Sequence, residues 1–139
     1  MMMIVKNFTF QGVEYMVCNT TDGYVPGMAA RELLADRRHG VGADRILLVK
    51  LAGEQELQAF TADGQYTAVT AEDWLIFGLY LRQAGLSANA AGFARVLGDQ
   101  ALLQLQAVES KVSFFEAHVT NAFCQKLIAL DKDAEMLAC

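Results

Sequence analysis

The sequence predicts an α+β domain: about seven or eight strands in a mostly antiparallel, curved sheet around one central apolar helix, all within a single domain over 1–139. Three observations carry this. The 139 residues are 54% apolar and only 19% charged, enough to bury a core without a disulfide or metal and the reverse of a disordered chain's balance. Short β-branched and aromatic stretches alternate with turn dipeptides, Gln11-Gly12 and Asp63-Gly64, through the first half of the chain. The run Trp74–Leu81 is apolar all round rather than along one stripe, as in a helix buried on most sides.

The elements follow in order. Met3–Phe10 and Glu14–Cys18 read as strands joined at Gln11-Gly12. After the turn cluster Asn19–Gly23, the segment Gly27–Arg37 reads as a helix, with Met28, Leu33 and Leu34 on its apolar side and Gly40 or Gly42 as its stop. Arg45–Leu51, Glu56–Thr61 and Gln65–Val69 are further strands, the last two forming a hairpin across Asp63-Gly64. Thr70 is a good N-cap for a helix running to Leu86, with Glu72 and Asp73 in its first turn and Asp73 at the capping-box position. Ala91–Leu97 and Ala101–Val108 are read as a hairpin across Gly98-Asp99, because Leu103, Leu105 and Ala107 alternate with Gln104, Gln106 and Val108. Val112–Val119 is another strand. A closing helix over about 121–137, capped by Thr120 or Asn121, carries Phe123, Leu127 and Leu130 on one face.

Composition excludes several functions. Eleven Lys and Arg against 16 Asp and Glu give a net charge of −5, a field that repels phosphate backbones, so no nucleic-acid partner is expected. No apolar run approaches the ~18 residues of a membrane span, and Met1–Val5 meets Lys6 too early for a signal peptide. The expected location is the cytoplasm. A mean hydropathy of +0.25 is high for a monomer of this size, so part of the apolar surface is expected in a homodimer interface. Cys18, Cys124 and Cys139 form no Cys-x-x-Cys pair and read as reduced thiols.

Three strings carry a resemblance. Ala35–Val49 (ADRRHGVGADRILLV), Phe60–Gly64 (FTADG) and Gly12–Tyr15 (GVEY) resemble, in order and spacing, the D-R-x-x-G-x-G-x-D-x-L-L, F-N-A-D-G and G-N-D-F motifs of diaminopimelate epimerase, a cofactor-independent enzyme of lysine and cell-wall biosynthesis. The similarity runs from about residue 6 to 106 and covers that family's amino-terminal half. It implies a domain that faces a similar one across a cleft, each supplying one cysteine. One thiolate removes the α-proton and the other thiol protonates the opposite face. No cofactor and no metal is implied.

The chain departs from that pattern where the chemistry lies. The family opens its central helix with C-G-N-G; here the string is Thr70-Ala71-Glu72-Asp73. Thr70 takes the cysteine's place, and a hydroxyl cannot serve unaided as that base. Ala71 and Asp73 replace glycines, and Glu72 and Asp73 put two carboxylates where a substrate carboxylate would dock. Val13 and Thr61 stand at the family's asparagines, and Leu75 at its arginine. The second cysteine belongs to a carboxy-terminal domain that the similarity does not reach. Gly40, Gly42, Asp44, Ala62, Asp63 and Gly64, which shape the fold, are kept.

No catalytic residue is therefore expected, and Val13, Thr61, Thr70, Ala71, Glu72 and Asp73 line a remnant cleft whose ligand is unknown. Glu72 and Asp73 read first as helix caps, and alternatively as a cation or amine site with Thr61 and Thr70. Cys18 is expected in the core, His39 in a structural turn, and His118 without partners at metal-ligand spacing. Arg37-Arg38 reads as a solvated helix end. The reading preferred is a degenerate epimerase relative acting as a binding or interaction module, dimeric. The alternatives are an isomerase-like enzyme of altered chemistry using Thr70, Glu72 or Asp73, and one half of a split epimerase.

Overall fold

The computed structural model describes residues 3–21, 23–87 and 91–138. The chain runs β1 (Met3–Phe10), β2 (Val13–Asn19), α1 (Met28–Ala35), β3 (Arg45–Lys50), β4 (Glu56–Thr61), β5 (Tyr66–Thr67), α2 (Ala71–Gln83), α3 (Ala91–Leu97), a 3₁₀ turn (Gly98–Gln100), α4 (Ala101–Glu109), β6 (Ser113–Val119) and α5 (Asn121–Ala138). This is an α+β fold on one sheet in the order β5-β4-β3-β2-β1-β6. Neighbouring strands pair antiparallel except β2 and β3, which are parallel. Helix α1 carries the chain back between those two, the crossover that a parallel pair requires.

Two expectations are corrected. Among the described residues the sheet has six strands rather than seven or eight, because 91–108 is helical. Phe93 and Leu97, four apart, are both buried, and so is Leu105, with Ala101 and Val108 partly so. That is the period of a helix face, filled with the good helix formers Ala, Leu and Gln. The alternation in Leu103–Val108 misleads because Leu103 is solvent-facing, 61% exposed.

The second correction concerns the apolar helix. The sheet does not enclose α2; it covers one side, and α3 and α4 cover the other. Trp74 and Phe77 pack on Phe93 at ring-centroid distances of 5.0 and 5.4 Å. A side chain at Gly78 would lie 2.7 Å from Leu105 Cδ2, so this glycine sets how closely α4 approaches. The all-round apolar character is thus satisfied by two layers.

The other face of the sheet holds a second core, with Val5, Met16, Cys18, Ile46, Leu48 and Phe60 under α1 and α5. Helix α5 docks on α1 through a borrowed cap. Asp131 accepts from Gly27 N at 3.0 Å, Ala30 N at 3.3 Å and the Tyr24 hydroxyl at 2.5 Å. Gly27, at the N-cap of α1, has no side chain to do this itself.

The long motif at 35–49 builds the return from α1 into β3. A side chain at Gly40 would lie 1.9 Å from the Leu33 carbonyl, so only glycine fits. Asp44 then ties this loop to the β1–β2 hairpin: its carboxylate accepts from Glu14 N and from Arg37, both at 2.9 Å. Arg37 is exposed, as expected, and pairs with Asp44 from that position. The Asp63-Gly64 turn is held by buried Arg31, whose Nε donates to Gly64 O at 3.0 Å and whose guanidinium lies 3.9 Å from the Phe60 ring centroid.

Candidate functional site

The residues expected to line a remnant cleft lie where α2 begins, over one end of β2, β3 and β4. Thr70 is extended (φ −98°, ψ 170°) and caps the helix. Its Oγ1 accepts from Asp73 N at 3.2 Å, and Asp73 Oδ2 accepts from Thr70 N at 2.8 Å. This reciprocal capping box satisfies two of the backbone donors that a helix start leaves open.

Asp73 does more than cap. It is fully buried, at 0% exposure, and Arg45 grips it at two points: Nε to Oδ1 at 3.0 Å and Nη2 to Oδ2 at 2.5 Å. Arg45 Nη2 also reaches Ala68 O at 3.2 Å. The Asp73 carboxylate raises the Arg45 pKa, chiefly by hydrogen bonding and against the effect of burial. The two-point geometry suits a guanidinium and a carboxylate, and the pair fixes α2 to β3.

In sheet register Arg45 lies between Tyr15 and Thr61. Burial pushes the Tyr15 hydroxyl above its ordinary pKa, and the charges of Asp73 and Glu72 add to this, while Arg45 opposes it. Thr61 Oγ1 is turned toward its own hairpin, donating to Asp63 and, at 3.5 Å, to Gln65 O. Val13 packs half-buried against the core that contains Trp74. Ala71 and Glu72 are exposed in the first turn of α2.

Thr70 and Asp73 are thus joined to Arg45, with Tyr15 beside it in register, and neither Arg45 nor Tyr15 is among the expected site residues. Val13 and Thr61 face other partners. A guanidinium already serves the buried carboxylate, so a cation or amine site at Asp73 is filled from within the chain. The available signal was Arg45 itself, a charge opening an otherwise apolar strand, and a charge so placed is generally paired.

The other candidates lie elsewhere. Cys18 and Cys124 are buried among apolar side chains, and burial pushes the Cys18 thiol up to about 12, the opposite of activation. Cys139 lies outside the described residues. His39 sits in the turn after α1, where Asp36 accepts from the backbone N–H groups of Arg38 and His39 at 2.8 and 3.0 Å. His118 is exposed on β6. Among the described residues, no group of three His, Cys, Asp or Glu could hold a metal ion, and no helix is long and apolar enough to cross a membrane.

An open cavity of about 580 Å3 lies at the opposite end of α2, lined by Ile4, Lys6, Asn19, Tyr80, Gln83 and Glu116 among others. Lys6 donates to Gln83 Oε1 at 2.8 Å and stands 3.5 Å from Glu116. A scan against protein-family models and a search of curated proteins give no match to this chain.

Proposed function

We propose that this chain is a degenerate relative of the amino-terminal domain of diaminopimelate epimerase, without epimerase activity, and that it acts in the cytoplasm as a homodimeric binding or interaction module. The observation that carries the reading is the Arg45–Asp73 pair at the head of α2. In the chemistry that the resemblance implies, this helix start offers a thiolate and bare amides to a substrate carboxylate. Here the same place holds a threonine and a carboxylate bound to an internal arginine. A substrate anion would meet the exposed charge of Glu72 and find the Thr70 amide already bound to the Asp73 carboxylate.

The cap and pair also argue against altered chemistry at this point. A general base needs a free lone pair near the operating pH, whereas the Asp73 oxygens accept from Arg45 and Thr70. Thr70 has no imidazole or amine beside it among the hydrogen bonds of the site. Solvent deuterium incorporation at the α-carbon of diaminopimelate, followed by NMR, tests the reading and detects even one-base exchange. Incorporation no greater than in a protein-free control is the expected result. Exchange above that control, abolished by Glu72→Gln, would replace the module with an enzyme that uses Glu72 as its base.

A further inference from the structure

Strand β6 leaves one edge of the sheet open, and the two edges differ. The β5 edge is only two residues long, whereas β6 has seven. Its register with β1 runs without a bulge from Met3↔Val119 to Thr9↔Ser113. There is no proline or lysine in it, and Phe114 and Phe115 are 53% and 48% exposed on opposite faces. Natural edge strands are shortened, bulged or charged to prevent pairing; this one is long and regular, and Glu116 is its one Asp, Glu, Lys or Arg.

Resting on the dimer reading above, we propose that β6 pairs antiparallel with β6 of a second copy of this chain, about a two-fold axis at Ala117. Paired residues in such a ribbon share a face, so the axis passes through a residue. With the axis at Glu116, the two Glu116 side chains would face each other, a like-charge pair. With the axis at Phe115, Glu116 would face the apolar Phe114, and His118 would pass the end of the strand. With the axis at Ala117, Glu116 stands opposite His118 of the second copy, twice by symmetry, and Phe115 stands opposite Val119.

The small Ala117 then occupies the crowded centre. Lys6, the β1 neighbour of Glu116, extends the row to Lys6–Glu116–His118 across the two copies. A carboxylate facing an imidazole that can donate to it, twice by symmetry, therefore selects both the occupant and the register. Glu116 also lines the cavity at the end of α2, so His118 of the second copy stands at the rim of that cavity.

The test uses the full chain carrying Cys139→Ser, in which Cys18 and Cys124 are buried. Sedimentation velocity over a range of concentrations is expected to show a dimer. Mild oxidation is expected to cross-link Ala117→Cys, which lies on the axis, and not Ser113→Cys on the same strand. His118→Glu, facing Glu116 of the second copy, is expected to weaken dimerisation at least tenfold, while His118→Lys keeps it. Thermal melts of these exposed-edge variants verify folding. A monomer at every concentration overturns both the dimer reading and this interface. A dimer that cross-links through Ser113→Cys instead, or that tolerates His118→Glu, overturns the interface and leaves the dimer reading standing.

Discussion

Arg45 on β3 and Asp73 on α2 meet through two hydrogen bonds of 3.0 and 2.5 Å, and the same carboxylate accepts from Thr70 N at 2.8 Å. One fully buried side chain thus caps the central helix and fixes it to the sheet. Breaking a buried pair from one side costs about 3–5 kcal/mol, because the other charge is left uncompensated. Asp73→Ala is expected to lose about 3 kcal/mol in urea denaturation, including its share of the cap. Arg45→Met/Asp73→Leu is expected to lose less than the sum of Arg45→Met and Asp73→Leu. Strictly additive losses would show that the pair is not coupled.

Acid sensitivity follows from Asp44. The Glu14 backbone N–H, and beyond it the Arg37 guanidinium, hold its carboxyl below the usual range against the opposing effect of burial. A carboxyl whose pKa is lower folded than unfolded contributes stability that is present above its unfolded pKa, near ~3.9, and is lost as pH falls through the folded value. Stability of the wild type is expected to drop over that acidic window. Asp44→Asn, less stable at neutral pH, is expected to show a shallower drop there. Equal acid slopes in the two proteins would remove Asp44 from the cause.

What was legible in the chain differs by element. Strands β1 to β4, the capping box at Thr70 and Asp73, and the closing helix all have local signals: β-branched runs, turn dipeptides, a cap with an acid three residues on. In α4 the alternation of Gln104 and Gln106 with Leu103 and Leu105 imitates a strand, and only burial tells that Leu105 faces inward and Leu103 outward. The Arg45–Asp73 pair spans 28 residues, and no local pattern encodes a partner at that distance. The cap that Asp131 supplies to α1 spans 104 residues to Gly27 and was invisible for the same reason.

That long-range cap gives a prediction about the closing helix. Asp131→Ala removes the acceptor for Gly27 N, Ala30 N and the Tyr24 hydroxyl. Loss of an N-cap of this kind costs about 1–2 kcal/mol. Hydrogen exchange read by NMR is expected to accelerate at the amides of Gly27 and Ala30 before those of β3, because α1 would fray while the sheet stays paired. Unchanged protection at Gly27 and Ala30 would mean that the apolar contact of α1 with α5, through Leu34 and Leu127, holds the helix start without the carboxylate.

Restoring the residue expected at the head of α2 is not expected to restore turnover. In Thr70→Cys the new thiol would stand at the N-cap, where helix amides favour a thiolate. It would also stand beside Glu72 and Asp73, whose charges oppose ionisation. The Asp73 carboxylate would still bind the amide of residue 70 and Arg45, so the anion-binding start of the helix would remain occupied. Val13 and Thr61, standing where the resemblance has asparagines, would offer no replacement contacts: Val13 is apolar and packs half-buried against the core, and Thr61 bonds within its own hairpin. Epimerisation of diaminopimelate by this variant is expected at the protein-free rate in a chiral chromatographic assay. Measurable turnover by the single variant would show that the arginine-bound carboxylate does not close the site, and with it the degenerate reading would fall.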